Sequence, residues 1–168
     1  KLKKINSGCV IETTAERIDS GNIEKAAAGM DIIIDGSDNF AARFLINDYA
    51  VKYSVPWVFA GVKGFEGQVL AVVPGKTPCL RCFIENPRDD AAADGLPAVM
   101  GTVVPFISSL QVSEALKILS GNNDIKPVVK KFDLWNSSVR SLDLSGLMNN
   151  NGCECCGQGI FEYLEDGR

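Results

Sequence analysis

Three observations predict an α/β layer fold. Strand-like and helix-like patterns alternate along the chain. Residues 31–35 set three consecutive isoleucines between acidic ends, the pattern of a central parallel strand buried on both faces. Two CxxC pairs, Cys79 with Cys82 and Cys153 with Cys156, suit a small metal knuckle that ties a late segment back onto the body.

The elements follow in order. Residues 9–14 read as a short strand, with Cys9 in it as a small buried hydrophobe. Asp19, Ser20 and Asn22 offer helix caps, and residues 23–28 form a short helix behind them. After the strand at 31–35, the run Gly36, Ser37, Asp38, Asn39 breaks the chain. It caps a helix over about 40–54, with Phe40, Ala41, Phe44 and Leu45 on the buried side. Residues 55–60 are the next buried strand and 68–73 its antiparallel return, Gly64 and Gly67 suiting a tight turn. Residues 85–102 are irregular, with Pro87, Gly95 and Pro97, and a loop of that length is usually functional or mobile. From Thr102 to Ser120 a long helix lines up Val103, Phe106, Ile107, Leu110, Ala115 and Ile118, with Pro105 in its early turns and Gly121 to end it. Residues 130–134 and 139–144 form a final hairpin joined through 135–138. The tail from Gly146 is rich in Gly and Asn.

Of the 168 residues 46% are hydrophobic and 23% charged, enough apolar material for one ordinary core. A net charge of −4, with basic residues scattered apart from Lys1, Lys3 and Lys4, argues against nucleic-acid binding, which needs a concentrated positive face. No run reaches the roughly 18–20 apolar residues of a membrane span, so no membrane partner is expected. No charged-then-apolar leader opens the chain. Six cysteines, five of them in two tight clusters, in such a chain, read as cytoplasmic thiols that bind metal and not as a secreted disulfide frame. The start at Lys1, with no Met, reads as the end of a helix and implies residues upstream.

Two residues between thiols let both sulfurs reach one tetrahedral ion, so two such knuckles make a four-cysteine structural Zn2+ site plausible. Cys155 complicates the choice of ligands, since it can replace a neighbour or stay free. Redox chemistry is the rival, disfavoured because neither CxxC is expected to cap a helix after a strand. A closed site of four thiolates leaves no open position for catalysis. The second constellation is Asp38 with Asn39, beyond the carboxyl end of the apolar strand, where open α/β sheets bind ligands. Asp38 can hold Mg2+ there, which in turn holds phosphate oxygens. Asn39 can hydrogen-bond a phosphate or carboxylate. The rival reading makes either residue an ordinary helix cap.

The segment from Asp31 to Asn47, D-x-x-x-D-x-x-D-N-x-x-x-R-x-x-x-N, resembles that of the ThiF/MoeB/HesA family of ubiquitin-activating-like adenylyltransferases. F-E-G-Q-V from Phe65, P-C-x-R-C from Pro78, S-L-Q-x-x-E-A-x-K from Ser109 and the closing C-x-x-C-G from Cys153 are similar to further motifs of that family. The resemblance runs across nearly the whole chain. It implies the C-terminal part of a Rossmann-like mixed sheet with flanking helices and a zinc knuckle. Residues 1–145 would form a partial adenylation domain, and 146–168 a zinc-knuckle tail closing on Cys79 and Cys82. It implies an enzyme that uses ATP and Mg2+ to adenylate the C-terminal glycine of a ubiquitin-like sulfur carrier protein for thiamine or molybdopterin synthesis, working as a homodimer. Asp38 would handle Mg2+, with Asn39 and Arg43 close to the nucleotide. The attack of a carboxylate on the α-phosphorus brings two anions together, which a metal and cationic donors neutralise.

Two departures bear on that reading. No G-x-G-x-x-G occurs here, and the family's phosphate-touching Arg and Lys lie upstream of the matched motifs, so this stretch alone is expected to be inactive. No cysteine lies between Cys82 and Cys153, where many members carry one for a persulfide or thioester step; Asp94 or an alanine stands in that loop. Any acyl-adenylate is therefore expected to pass on without a thiol relay from it. Two rival classes are a non-enzymatic carrier-binding or dimerisation module and a tRNA-modifying relative.

Overall fold

In the computed structural model, residues 1–84, 98–122 and 124–165 are described. The elements are α1 (Leu2–Ile5), α2 (Ile23–Ala27), β1 (Ile33–Ile34), α3 (Phe40–Tyr53), β2 (Trp57–Lys63), β3 (Glu66–Val72), α4 (Leu80–Phe83), α5 (Val103–Leu119), β4 (Val128–Asp133), β5 (Ser138–Asp143), a 3-10 turn (Ser145–Leu147) and α6 (Glu162–Glu165). The five strands form one mixed sheet in the order β1-β2-β3-β4-β5. β1 and β2 are parallel, and every later pair is antiparallel. This is the α/β fold with flanking helices that the alternating pattern predicts.

Side chains alternate along each strand, so each face of the sheet builds its own core. Trp57, Phe59, Leu70, Val72 and Val129 point to the side of α3 and the cysteine-bearing tail. Val58, Ala60 and Val69 point the other way, onto Val103, Ile107 and Ala115 of α5. A third, smaller cluster joins Ile23 and Ala27 of α2 to Leu45 and Tyr49 of α3. The tail from Gly146 supplies Leu147, Cys153, Cys155, Phe161 and Tyr163 to the first core and is packed into it.

Several expectations are corrected. Residues 9–14 form no strand: no neighbouring strand pairs with them, Val10 is 90% exposed, and Cys9 lies at the surface. The apolar run at 31–35 shortens to Ile33–Ile34. Among the described residues it is an edge strand, not a central one, and Ile34 is half exposed because only β2 flanks it. In α5 the buried stripe is Val103, Ile107, Gln111 and Ala115, while Phe106 turns partly outward against Phe132. The Gln111 amide explains its own burial: Nε2 donates to the Asp35 carbonyl at 2.7 Å and the Val58 carbonyl at 3.1 Å, joining the residue that follows β1 to the start of β2. Most of the irregular stretch at 85–102, including Asp94, lies outside the described residues.

The β2–β3 hairpin turns through Gly64 and Phe65, with Lys63 opposite Glu66. Gly64 has φ of 60°, which a residue without a Cβ adopts at no steric cost. Gly67 does other work. A Cβ there would come within 2.5 Å of Ile107 Cδ1 and closer still to its Cγ1, so this glycine lets α5 lie directly on the sheet. Gly67→Ala is expected to cost about 1–3 kcal/mol through overpacking, read as a lowered denaturant midpoint with unchanged slope.

Candidate functional site

Helix α3 carries two constellations, one at its N-terminus and one along its second half, beside Asn47, Asp48 and Val51. Its N-terminus follows the carboxyl end of β1. Asn39 is the cap: its Oδ1 accepts from Ala42 N at 2.9 Å. Asp38 is exposed, and its Oδ1 accepts from Asn39 Nδ2 at 3.2 Å. Asp35 is buried; its Oδ1 accepts from Ser37 N and Oγ at 2.8 and 2.6 Å. Arg43 lies over this turn. Its Nε is 3.4 Å from Asp35 Oδ2, and an Nη donates to the Ser37 carbonyl at 2.9 Å. Its guanidinium also covers the rings of Phe40 and Phe59 at 5.2 and 5.3 Å.

The three candidate nucleotide residues thus occupy one turn but do different things. Asn39 does what the capping reading requires. Arg43 is held inside the fold, bracing the turn that carries Asp38. Asp38 alone presents its carboxylate outward. Asp35 and Gln111, which brace the turn from below, are letters of the quoted motifs to which the sequence assigned no role. Their signal was a Gln in the middle of an apolar helix stripe.

Along the second half of α3 the two CxxC pairs meet. The sulfurs of Cys79, Cys82, Cys153 and Cys156 all lie within 4.8 Å of one another. Thiolates about 2.3 Å from a tetrahedral ion stand about 3.8 Å apart. The observed separations are 3.9 Å for Cys79–Cys82, 3.7 Å for Cys79–Cys153 and 3.3 Å for Cys82–Cys156. Four thiols in this arrangement can hold a metal ion. Cys155 is not in the group; it is fully buried and faces α3, its Sγ accepting from Asn47 Nδ2 at 3.3 Å.

The electrostatics suit a cation. Hydrogen bonds from Cys155 and Cys82 hold the Cys79 thiol far below its usual value. Their hydrogen bonds to Cys79, with burial and then the negative charge there, in turn push Cys82 and Cys155 up. Burial, with that same charge, raises Cys156 to about 11. One thiolate forms and opposes the next, the behaviour of crowded like charges that a divalent ion neutralises.

One expectation about the first pair is corrected. Cys79 does stand at the N-cap of a helix, α4, a few residues after β3. Thr77 Oγ1, accepting from Val73 N at 2.8 Å, turns the chain between them. What disfavours redox chemistry is instead the convergence of four sulfurs from two distant segments. Around them lie polar groups to which the sequence assigned no role, although Asn47 and Arg81 are letters of its motifs. Asn47 and Asp48 are fully buried in α3, and Arg81 reaches Asp48 Oδ2 at 3.5 Å. Burial pushes the Asp48 carboxyl up, opposed by the Tyr163 N–H, Cys155 and Arg81.

Among the described residues no helix is long and apolar enough to cross a membrane. The chain is 34% identical to the sulfur carrier protein ThiS adenylyltransferase of Bacillus subtilis over 98% of its own length and 48% of that protein's. It is 28% identical to the SAMP-activating enzyme E1 of Haloferax volcanii, covering 98% of this chain and 61% of that one. The chain therefore spans roughly half the length of these relatives. Among solved structures, Escherichia coli MccB with MccA-N7isoASN superposes with a TM-score of 0.78 at 20% identity, over 93% of this chain and 49% of that one, a likeness of fold. A profile of the ThiF family matches residues 1–155. With its motifs in order and its fold in agreement, the chain belongs to the ThiF family.

Proposed function

We propose that the protein containing this chain adenylates the C-terminal glycine of a ubiquitin-like sulfur carrier with ATP and Mg2+, in the cytoplasm. The observation that carries this reading is the outward carboxylate of Asp38, on a braced turn at the carboxyl end of a parallel strand and the start of a helix. Similarity to a ThiS adenylyltransferase supports the same reading. Asp38 would hold the metal that neutralises phosphate oxygens. Asn39 would set the helix N-terminus toward them, and Arg43 would keep the turn in place. The four cysteines would hold Zn2+ as a structural clamp, since four thiolates close its coordination shell. In a homodimer the outward face of α5, where Val104, Val112, Leu116 and Leu119 are exposed, would contribute contact surface.

ATP–pyrophosphate exchange tests the reading, with thiamine-type and molybdopterin-type carriers, on this chain beside a longer one extended upstream. Exchange by the longer chain alone is expected. No exchange by either overturns adenylation. Carrier binding that ignores nucleotide would then favour a docking module.

A further inference from the structure

The four residues enclosed by the two CxxC pairs are Leu80 and Arg81 in the first and Glu154 and Cys155 in the second. All four are tied to something, and the ties cross. Asn47 Oδ1 accepts from Leu80 N at 2.8 Å, while its Nδ2 donates to Cys155 Sγ at 3.3 Å. One amide thus grips the residue just after the first sulfur of one pair and the residue just before the last sulfur of the other. Arg81 makes the second tie, with Nη1 3.5 Å from Asp48 Oδ2 and Nη2 2.5 Å from Glu154 Oε2. Asp48 Oδ2 also accepts from Tyr163 N at 3.1 Å, which fixes the chain beyond the second pair. The side chains of Asn47 and Asp48 are fully buried, so these bonds are made in a medium where losing one is costly.

The two pairs stand 74 residues apart in sequence. An ion binding two free segments would have to order both. We propose that Asn47 and Asp48 are positioning residues for the metal, cross-bracing the two half-sites on helix α3 so that the four sulfurs face one point. This rests on the reading of the four cysteines as a metal site. It assigns their geometry to α3, the same helix whose first turn carries the candidate nucleotide residues. Neighbours that orient metal ligands typically change affinity 10- to 100-fold when removed.

The test uses this chain loaded with Zn2+ or Co2+. Zn2+ affinity is measured by competition with a chromophoric chelator, and site geometry by the thiolate–Co2+ absorption bands. Asn47→Leu, which removes both arms of the amide, is expected to weaken Zn2+ about 10- to 100-fold and to shift the Co2+ bands. Cys155→Ala removes only the second arm and is expected to give a smaller loss in the same direction; it also serves if Asn47→Leu does not fold. Gly67→Ala is the control, because it lowers stability on the opposite face of the sheet and should leave affinity and bands unchanged. Affinities and spectra of both variants that match those of Gly67→Ala would overturn the proposal while leaving the metal site intact. Failure of the unaltered chain to bind either ion would overturn the site and the proposal together.

Discussion

Stripping the metal, by a strong chelator or by Cys79→Ser, is expected to lower stability by about 4 kcal/mol or more, a fall in Tm of about 10 °C for a chain of this size. The size of the effect follows from where the site lies. Cys79, Cys82 and Cys153 are buried in the same apolar cluster as Trp57, Phe59, Leu70 and Val72, so an ion held by them would stand at the base of a core and not on a surface loop. Without it, four sulfurs stand within 4.8 Å of one another, three of them buried, with no ion to draw them together. The tail from Gly146 would then be held to α4 by the polar contacts of Arg81 with Glu154, the Ile160 carbonyl and Glu162, without the ion that joins the two pairs of sulfurs. A chelator has a route in: Cys156 is exposed, and with Cys79 it lines a cavity of about 290 Å³ beside Val51, Ser54 and Thr77. Cys9→Ser is the matched control, since Cys9 is exposed and should be silent. Thermal melts with and without chelator decide the matter, and an unchanged curve for Cys79→Ser would sink the structural-metal reading.

What was legible in the sequence was whatever leaves a local signature. The helices at 40–53 and 103–119 carry caps and period, and both hairpins were found to within two or three residues of their ends. The two CxxC pairs were legible because a thiol pair at that spacing has few other uses. The failures share a cause, which is that they depend on what lies across the fold. Residues 9–14 have a strand's composition, but a strand needs a neighbour and none pairs with them. Gly67 reads as a turn residue next to Gly64, and only the position of Ile107 shows that it makes room for a helix. Gln111, Asn47 and Asp48 look like polar interruptions of apolar helices. Each one satisfies backbone or side-chain groups far away in sequence, a pairing that no local pattern records.

The acidic turn divides its residues by consequence. Asp38→Ala is expected to reduce exchange by the upstream-extended chain about 100-fold or more, because metal neutralisation of developing phosphate charge is worth several kcal/mol. It should leave the melting curve unchanged, for Asp38 is exposed and its side chain bonds only to its neighbour Asn39 among the described residues. Arg43→Ala should do the opposite in its first effect. It removes the partner of buried Asp35, uncovers Phe40 and Phe59, and frees the Ser37 carbonyl, so about 3–5 kcal/mol of stability goes with it. Loss of exchange in that variant would then follow the turn's disorder and be partly restored by conditions that stabilise the fold, whereas no such rescue is expected for Asp38→Ala. Exchange and melting measured on both variants separate a residue that handles the metal from one that holds it in place. An Asp38→Ala enzyme that exchanges at the normal rate would take the Mg2+ role away from this turn.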